Sequence, residues 1–284
     1  MSAATNELVI AFDGVHLGFD EGDVLRGLSF RVASGETKVL VGETGTGKTL
    51  ALKLAAGLLQ PSQGSVTVLG HEVSSMTEAE LLVFRRQIGF VFQEGALFDS
   101  LTVADNVAYR LTEDGVDQDE IDRRVLEVLR FVELEDAIDK LPDELSGGMR
   151  RRVAIARALV SRPPIVLYDS PTAGLDPITS QTIITLIMRL RDLQGVTSLL
   201  VTHRLQDAFG LANYRFDAKQ NRVVRDPAQP AASGGDSRAT SPGASPDGRP
   251  ATDILVLRDG RAYFEGDTQA MLESPDAYLK RFLV

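Results

Sequence analysis

The stretch Val39 to Thr49, VLVGETGTGKT, constrains this chain more than any other. An apolar run leads into a loop carrying Gly42, Gly45 and Gly47, and Lys48-Thr49 then opens a helical pattern rich in Leu and Ala. The loop matches G-x-x-x-x-G-K-[ST] in full, from Gly42 through Glu43, Thr44, Gly45, Thr46, Gly47 and Lys48 to Thr49. Backbone N–H groups cradle a phosphate chain only where no Cβ blocks the approach, which is what the glycines provide. The helix start points its free N–H groups the same way, and its dipole favours an anion. Lys48 supplies a mobile point charge, and the Thr49 hydroxyl is a hard oxygen ligand suited to Mg²⁺.

The rest of the chain supplies the frame for such a loop. Glu7 to Phe12 and Val15 to Phe19 read as strands with a turn at Asp13-Gly14, and Val24 to Val32 as another after Glu21-Gly22-Asp23. The chain thus opens with a small antiparallel sheet. Leu50 to Leu59 reads as a helix, Ser65 to Leu69 as a strand, and Thr77 with Glu80 as a capping box for a helix to Arg86. Ile88 to Phe92 is an apolar strand ending at Gln93. From there to about Leu159 the pattern is helix and loop, a helical insertion into an α/β core. Leu97 and Phe98 lie in a loop and serve either docking or anchoring. Leu145-Ser146-Gly147-Gly148-Met149 opens a helix, and Arg150, Arg151 and Arg152 after it read as a solvated face.

Ile165 to Asp169 is four apolar residues and an acid, the pattern of a buried parallel strand delivering a carboxylate to a metal. Thr197 to Val201 is a second such strand, ending at Thr202-His203. Strand C-termini are where open α/β sheets place ligands. Pro227 to Pro250 holds five Pro, four Gly and four Ser. That composition cannot bury enough surface to offset ordering entropy, so it reads as a disordered insertion. Strands resume at Asp253, and helices at Thr268 to Glu273 and Pro275 to Leu283 close the chain.

Hydrophobic content of 43% and charged content of 25% are those of a soluble globular protein. The net charge of −10 speaks against sequence-independent nucleic-acid binding. With no cysteine there is neither a disulfide framework nor a thiolate metal site. No apolar run reaches membrane-spanning length, and Met1 to Glu7 lack the features of a signal peptide. The expectation is a chain that does not cross a membrane by itself.

Gly42 to Thr49, Gln93, Leu145 to Met149, Ile165 to Asp169, Gly174-Leu175-Asp176 and His203 together resemble the ordered motif set of ABC-type ATPases. The resemblance covers nearly the whole chain outside the insertion. It implies a P-loop nucleotidase of α/β class with a RecA-like core sheet, an N-terminal antiparallel β subdomain and a helical subdomain at about 93–160. It makes residues 1–284 a single domain, with the insertion at about 227–250 and closing strands and helices at 253–284. The segment from Phe92 to Val103, with Asp105-Asn106-Val107-Ala108, Asp176-Pro177-Ile178-Thr179 and the C-terminal end, is similar to the ATPases of Mla/Mce-type lipid-transport systems.

The resemblance also implies roles. Gly42 to Thr49 would hold ATP, and Thr49, Gln93 and Asp169 would hold Mg²⁺. Lys48, Gln93, Asp169, the residue at Ser170 and His203 would serve hydrolysis. Phe19, a core or edge aromatic on pattern alone, would stack on adenine. Ser146, Gly147 and Gly148 would meet the γ-phosphate held by a second copy, and Asp176 would cross that interface. A membrane permease would dock near Leu97 and Phe98, with lipid-binding components beyond it. The chain would then be cytoplasmic, peripheral on the inner face of the membrane.

Two positions depart from the family. Ser170 stands where it places Glu, and a serine hydroxyl only orients a water where a carboxylate would take its proton. Ser170 admits a trap, a slow hydrolase or a substitute base, with Glu94 and His203 nearest. Arg204 stands where an Asp often follows the His. An ATP-gated clamp with slow turnover is the alternative to an active ATPase. A third class, an ABC protein acting on nucleic acid or ribosomes, is disfavoured by the acidic charge and the apolar loop at Gln93 to Leu101.

Overall fold

A computed structural model describes residues 7–20, 22–226 and 252–282. Two sheets flank helix α1 (Lys48–Ala55). The first is antiparallel, built from β1 (Leu8–Phe19), β2 (Gly22–Ala33), β4 (Gln63–Val68) and β5 (His71–Glu72) in the order β2-β1-β4-β5. The second runs β12-β11-β3-β8-β7-β6, from β3 (Thr37–Gly42), β6 (Ile88–Val91), β7 (Ile165–Asp169), β8 (Thr197–Thr202), β11 (Thr252–Arg258) and β12 (Arg261–Gly266). Its strands β11, β3, β8, β7 and β6 are parallel neighbours, and β12 closes one edge antiparallel to β11.

The period-two alternation of strand side chains builds two cores from this one sheet. Leu40, Leu167, Leu199, Val201, Leu255 and Leu257 face the antiparallel sheet and α1. Val39, Val41, Val166, Tyr168, Leu200 and Val256 face the helices on the other side. Both faces are covered, which is why these strands read as unbroken apolar runs.

The expected helical segment is α3 (Val103–Glu113), α4 (Gln118–Phe131) and α5 (Gly147–Leu159). It packs on the second core through Val107, Ile121, Val125, Leu129 and Ile155. The capping box before α2 (Glu78–Phe84) forms as expected: Thr77 N donates to Glu80 at 2.8 Å, and Glu80 N donates back to Thr77 Oγ1 at 3.4 Å. Helices α6 (Pro177–Gln194), α7 (Leu205–Asn213), α8 (Thr268–Glu273) and α9 (Ala277–Phe282) complete the layers, with a small hairpin of β9 (Tyr214–Asp217) and β10 (Arg222–Arg225).

Three sequence readings are corrected. Asp13-Gly14 is no turn. β1 runs through it as one strand, with a register shift between Phe12 and Val15 and Gly14 at φ 56°. A bulge uses the same Gly chemistry as a turn, so the two signals look alike. β4 begins two residues before the expected Ser65, and two short strands, β5 beside β4 and β10 beside β9, carry no alternation that would mark them. The Arg150–Arg152 run is no solvated face, since Arg151 is buried and Arg152 donates to the Val132 and Glu133 carbonyls at 3.0 Å each. The Pro227 to Pro250 insertion lies outside the described residues. The C-terminal helix α9 packs in cis, with Leu279 buried in the second core.

Candidate functional site

Strand order gathers the motifs. β3, β8, β7 and β6 are parallel neighbours, so their C-terminal ends share one edge of the sheet. The Gly42–Thr49 loop leaves β3, His203 follows β8, Asp169 ends β7 and Gln93 follows β6 two residues on. This is the edge where parallel α/β sheets bind ligands.

Glycine fixes how the loop enters α1. Gly47, at φ 94°, precedes α1, and a Cβ there would come within 2.4 Å of Leu25 Cδ2. Only glycine satisfies both demands. Lys48 Nζ donates to the carbonyls of Gly42 at 2.9 Å and Glu43 at 2.7 Å. The ammonium is thus folded over the loop, held by its own backbone, and burial lowers its pKa against the opposing pull of Asp169.

Thr49 Oγ1 donates to Asp169 Oδ1 at 3.2 Å. Adjacent ligands around an octahedral Mg²⁺ at 2.0–2.1 Å lie about 3 Å apart, so this hydroxyl–carboxylate pair fits that ion. The set is one hydroxyl and one carboxylate, and among the described residues no group of three or more acidic or imidazole side chains is placed to hold a metal ion. Such a site leaves coordination positions to phosphate oxygens and water, as Mg²⁺ prefers. Asp169 is 7% exposed, and burial raises its pKa against the Thr49 and Ser170 hydrogen bonds and the Lys53 and Lys48 charges.

Ser170 sits in left-handed backbone at φ 46°. Its N–H donates to the Val201 carbonyl at 2.9 Å and its carbonyl accepts from Ala173 N at 3.0 Å, while Oγ reaches Asp169 Oδ1 at 3.4 Å. Two hydrogen bonds independent of the side chain therefore fix the direction in which residue 170 projects. Gln93, Glu94 and His203 are exposed at the same edge. Phe19, at the exposed end of β1 opposite Gly22, is 57% exposed, a surface position in keeping with stacking and not with a core.

Ser146, Gly147 and Gly148 form the start of α5, where Ser146 Oγ accepts from Met149 N at 3.2 Å. A Cβ on Gly148 would lie 2.3 Å from Thr179 Cγ2, so the α5 start packs directly on the start of α6. Asp176 caps α6, its Oδ1 accepting from Ile178 N and Thr179 N at 3.0 Å each. Ser146, Gly147, Gly148 and Asp176 are therefore neighbours of each other. Among the described residues no hydrogen bond or ion pair joins them to this chain's own Lys48 loop.

Sequence reasoning missed the connectors. Arg151 donates to the Phe92 carbonyl at 2.9 Å and the Ala173 carbonyl at 3.4 Å, joining the Gln93 strand to the loop before Asp176. Arg157 donates to the Gly95 and Ala96 carbonyls at 2.8 Å each and holds the loop after Gln93. The signal was an arginine-rich helix beside small residues, which reads equally as surface. Of the loop pair, Leu97 packs on the core as an anchor. Phe98, 42% exposed, packs on Tyr109 at 4.7 Å between centroids with the rings tilted by 42°.

Sheet order, glycine loop, Thr49–Asp169 pair and capped helix starts define a P-loop nucleotide-binding cassette. The profile of the ABC transporter family matches residues 25–173. The methionine import ATP-binding protein MetN of Escherichia coli O157:H7 is 42% identical over 67% of this chain and 55% of the relative. The intermembrane phospholipid transport system ATP-binding protein MlaF of Haemophilus influenzae is 35% identical over 74% of this chain and 81% of the relative. A dimeric post-hydrolysis structure of the ATP-binding cassette MJ0796, bound to ADP and Pi, superposes with a TM-score of 0.71 at 28% identity, covering 91% of this chain and 98% of that one. The chain belongs to the ABC transporter family, among its ATP-binding subunits. It spans about half the length of the methionine-import relatives it matches.

Proposed function

We propose that this chain, as one domain with a helical subdomain at about 93–160, binds ATP with Mg²⁺, dimerises around two nucleotides and powers a membrane permease. The observation that carries this is the separation of two half-sites. The Lys48 loop and the Ser146–Gly148 helix start each offer a phosphate site, yet no hydrogen bond or ion pair joins them directly among the described residues. A second copy would bring its Ser146, Gly147 and Gly148 to the γ-phosphate held by Lys48. Asp176 would lie at the junction, and Phe19 would stack on the base. The dimeric ADP- and Pi-bound MJ0796 cassette supports this reading.

In that dimer Lys48 would leave the Gly42 and Glu43 carbonyls for the β- and γ-phosphates. Mg²⁺ bound at Thr49 and Asp169, with Gln93 beside it, would neutralise the developing phosphoryl charge. His203 would hold a γ-phosphate oxygen and Gln93 would orient the water. Hydrolysis would be slow, because Ser170 offers the water no proton acceptor. Phosphate release measured with and without permease tests the reading. Release near background in both, with ATP-driven dimerisation intact, would favour the clamp over the ATPase.

No helix among the described residues is long and apolar enough to cross a membrane, so the permease is a separate partner in this reading. It would seat on the Phe98–Tyr109 pair, an aromatic step fixed by buried Asn106, which donates to the Phe98 carbonyl at 3.0 Å and accepts from Phe98 N at 2.8 Å. The cassette would lie on the cytoplasmic face. We favour lipid as cargo with lipid-binding components beyond the permease: the MlaF match runs over 81% of that relative, against 55% of the methionine-import protein. The higher identity of the latter, 42%, favours methionine as the second reading. Co-purification with the permease followed by lipid analysis, against methionine uptake, separates them.

A further inference from the structure

Arg204, the departure after His203, belongs to a buried network that the nucleotide site does not use directly. At its centre is Asp207, 3% exposed on the first turn of α7. Its Oδ2 accepts from Thr172 Oγ1 at 2.5 Å and from Thr202 Oγ1 at 3.0 Å. Both threonines are fully buried. Thr202 Oγ1 in turn accepts from Arg204 N at 3.0 Å. The Arg204 guanidinium donates to Ser180 Oγ on α6 at 2.8 Å and to the Thr172 carbonyl at 3.4 Å, with Nε 3.9 Å from Asp207 Oδ1.

The positions of these partners matter. Thr202 is the residue before His203. Thr172 lies in the loop between Asp169 and Asp176, and Arg151 fastens the next carbonyl of that loop, Ala173, to Phe92 beside Gln93. One carboxylate therefore ties the turn carrying His203 to the loop carrying Asp176, and through Arg151 to Gln93. A buried carboxylate is retained against a large desolvation penalty only when its partners are held as tightly as these. Satisfied networks of this kind rigidify and specify one arrangement.

We propose that Asp207 is a positioning residue that makes His203 and the 171–176 loop move as one unit. Arrival of the second copy at Asp176 is then felt at His203 in the same chain. This rests on the dimeric ATPase reading. Asp207 makes no hydrogen bond or ion pair to Lys48, Thr49, Gln93 or Asp169; its partners are Thr172, Thr202 and Arg204. Its loss should spare ATP binding by the single chain and impair the steps that need both elements aligned.

The test uses the full chain with Asp207→Asn, Thr172→Val and the double variant. Measured are affinity for a fluorescent ATP analogue, ATP-dependent dimerisation, and kcat and KM for phosphate release. The expected result is analogue affinity within about twofold of wild type. The ATP needed for half-dimerisation should rise about tenfold, with kcat lowered and KM little changed. The double variant should be no worse than either single one, and Thr172→Ser should restore wild-type behaviour. Should Asp207→Asn unfold, Thr172→Val keeps the carboxylate and its Thr202 partner and carries the same expectation. A wild type that binds and dimerises while the variants match it overturns the coupling alone, as do single effects that simply add. A folded wild type that fails to bind ATP overturns the nucleotide reading and the coupling together.

Discussion

Replacing Ser170 by Glu should raise the rate of phosphate release by about 10² to 10⁴, the range for a positioned general base. The backbone licenses the use of that range without deduction. Residue 170 is held at φ 46° by hydrogen bonds from its own N–H to Val201 and from Ala173 N to its own carbonyl, neither of which involves the side chain. The new carboxylate leaves from the same Cα in the same direction. Left-handed backbone costs roughly 1–2 kcal/mol for any side chain, so the strain is present with Ser and persists with Glu. The bond lost, Ser170 Oγ to Asp169 at 3.4 Å, is long and weak. What remains is the base, about 3–5 kcal/mol of barrier. Phosphate release at saturating Mg²⁺ and ATP reads the gain, and ATP affinity, proposed to rest on Lys48 and Thr49, should stay within about twofold. A Ser170→Glu chain that binds ATP as before and releases phosphate no faster would refute the assignment of this position.

Other consequences follow from the packing. Lys38, fully buried on β3, pairs with Glu36 at 3.0 Å, Asp253 at 2.5 Å and Glu265 at 2.7 Å. Lys38→Met should cost about 3–5 kcal/mol in denaturant unfolding, because three carboxylates lose their cation. Burial alone would lower the Lys38 pKa, but the Glu36 and Asp253 carboxylates prevail and raise it above 10.5, while burial raises the Tyr168 phenol above 10.0. Each group binds its proton more tightly folded than unfolded, so its contribution is whole below those values and declines as pH climbs past about 10. Unfolding followed from pH 8 to 11 should show that decline, with a smaller slope in Tyr168→Phe. Gly148→Ala, whose Cβ would meet Thr179 Cγ2 at 2.3 Å, should weaken ATP-driven dimerisation in light scattering while sparing monomer ATP binding. Phe98→Asp should abolish permease co-purification and leave phosphate release by the free subunit unchanged.

The glycine loop, the two buried strands ending in Asp169 and at Thr202, and the helical segment were legible because each rests on a local rule: glycine placement, apolar runs and helical spacing. Thr77 with Glu80 was equally plain. What escaped the sequence is what depends on partners far along the chain. Arg151 and Arg152 look like surface until the carbonyls of Phe92, Ala173, Val132 and Glu133 are placed around them. Lys38 sits in an apolar strand with no hint that Asp253 and Glu265 lie alongside, more than two hundred residues on. Asp207 and its threonines carry no motif. Gly14 misled because a bulge and a turn ask the same of a glycine.

ATP-dependent dimerisation of the full chain, with variants of each half-site, tests the central claim most directly. Lys48→Ala and Ser146→Arg should each abolish the shift from monomer to dimer that wild type shows with Mg²⁺ and ATP. Mixing the two variants should recover a dimer, since one copy's intact Lys48 loop then meets the other's intact Ser146 helix start. A wild type that stays monomeric at saturating ATP, or a mixture no better than its components, would contradict a site built from two copies.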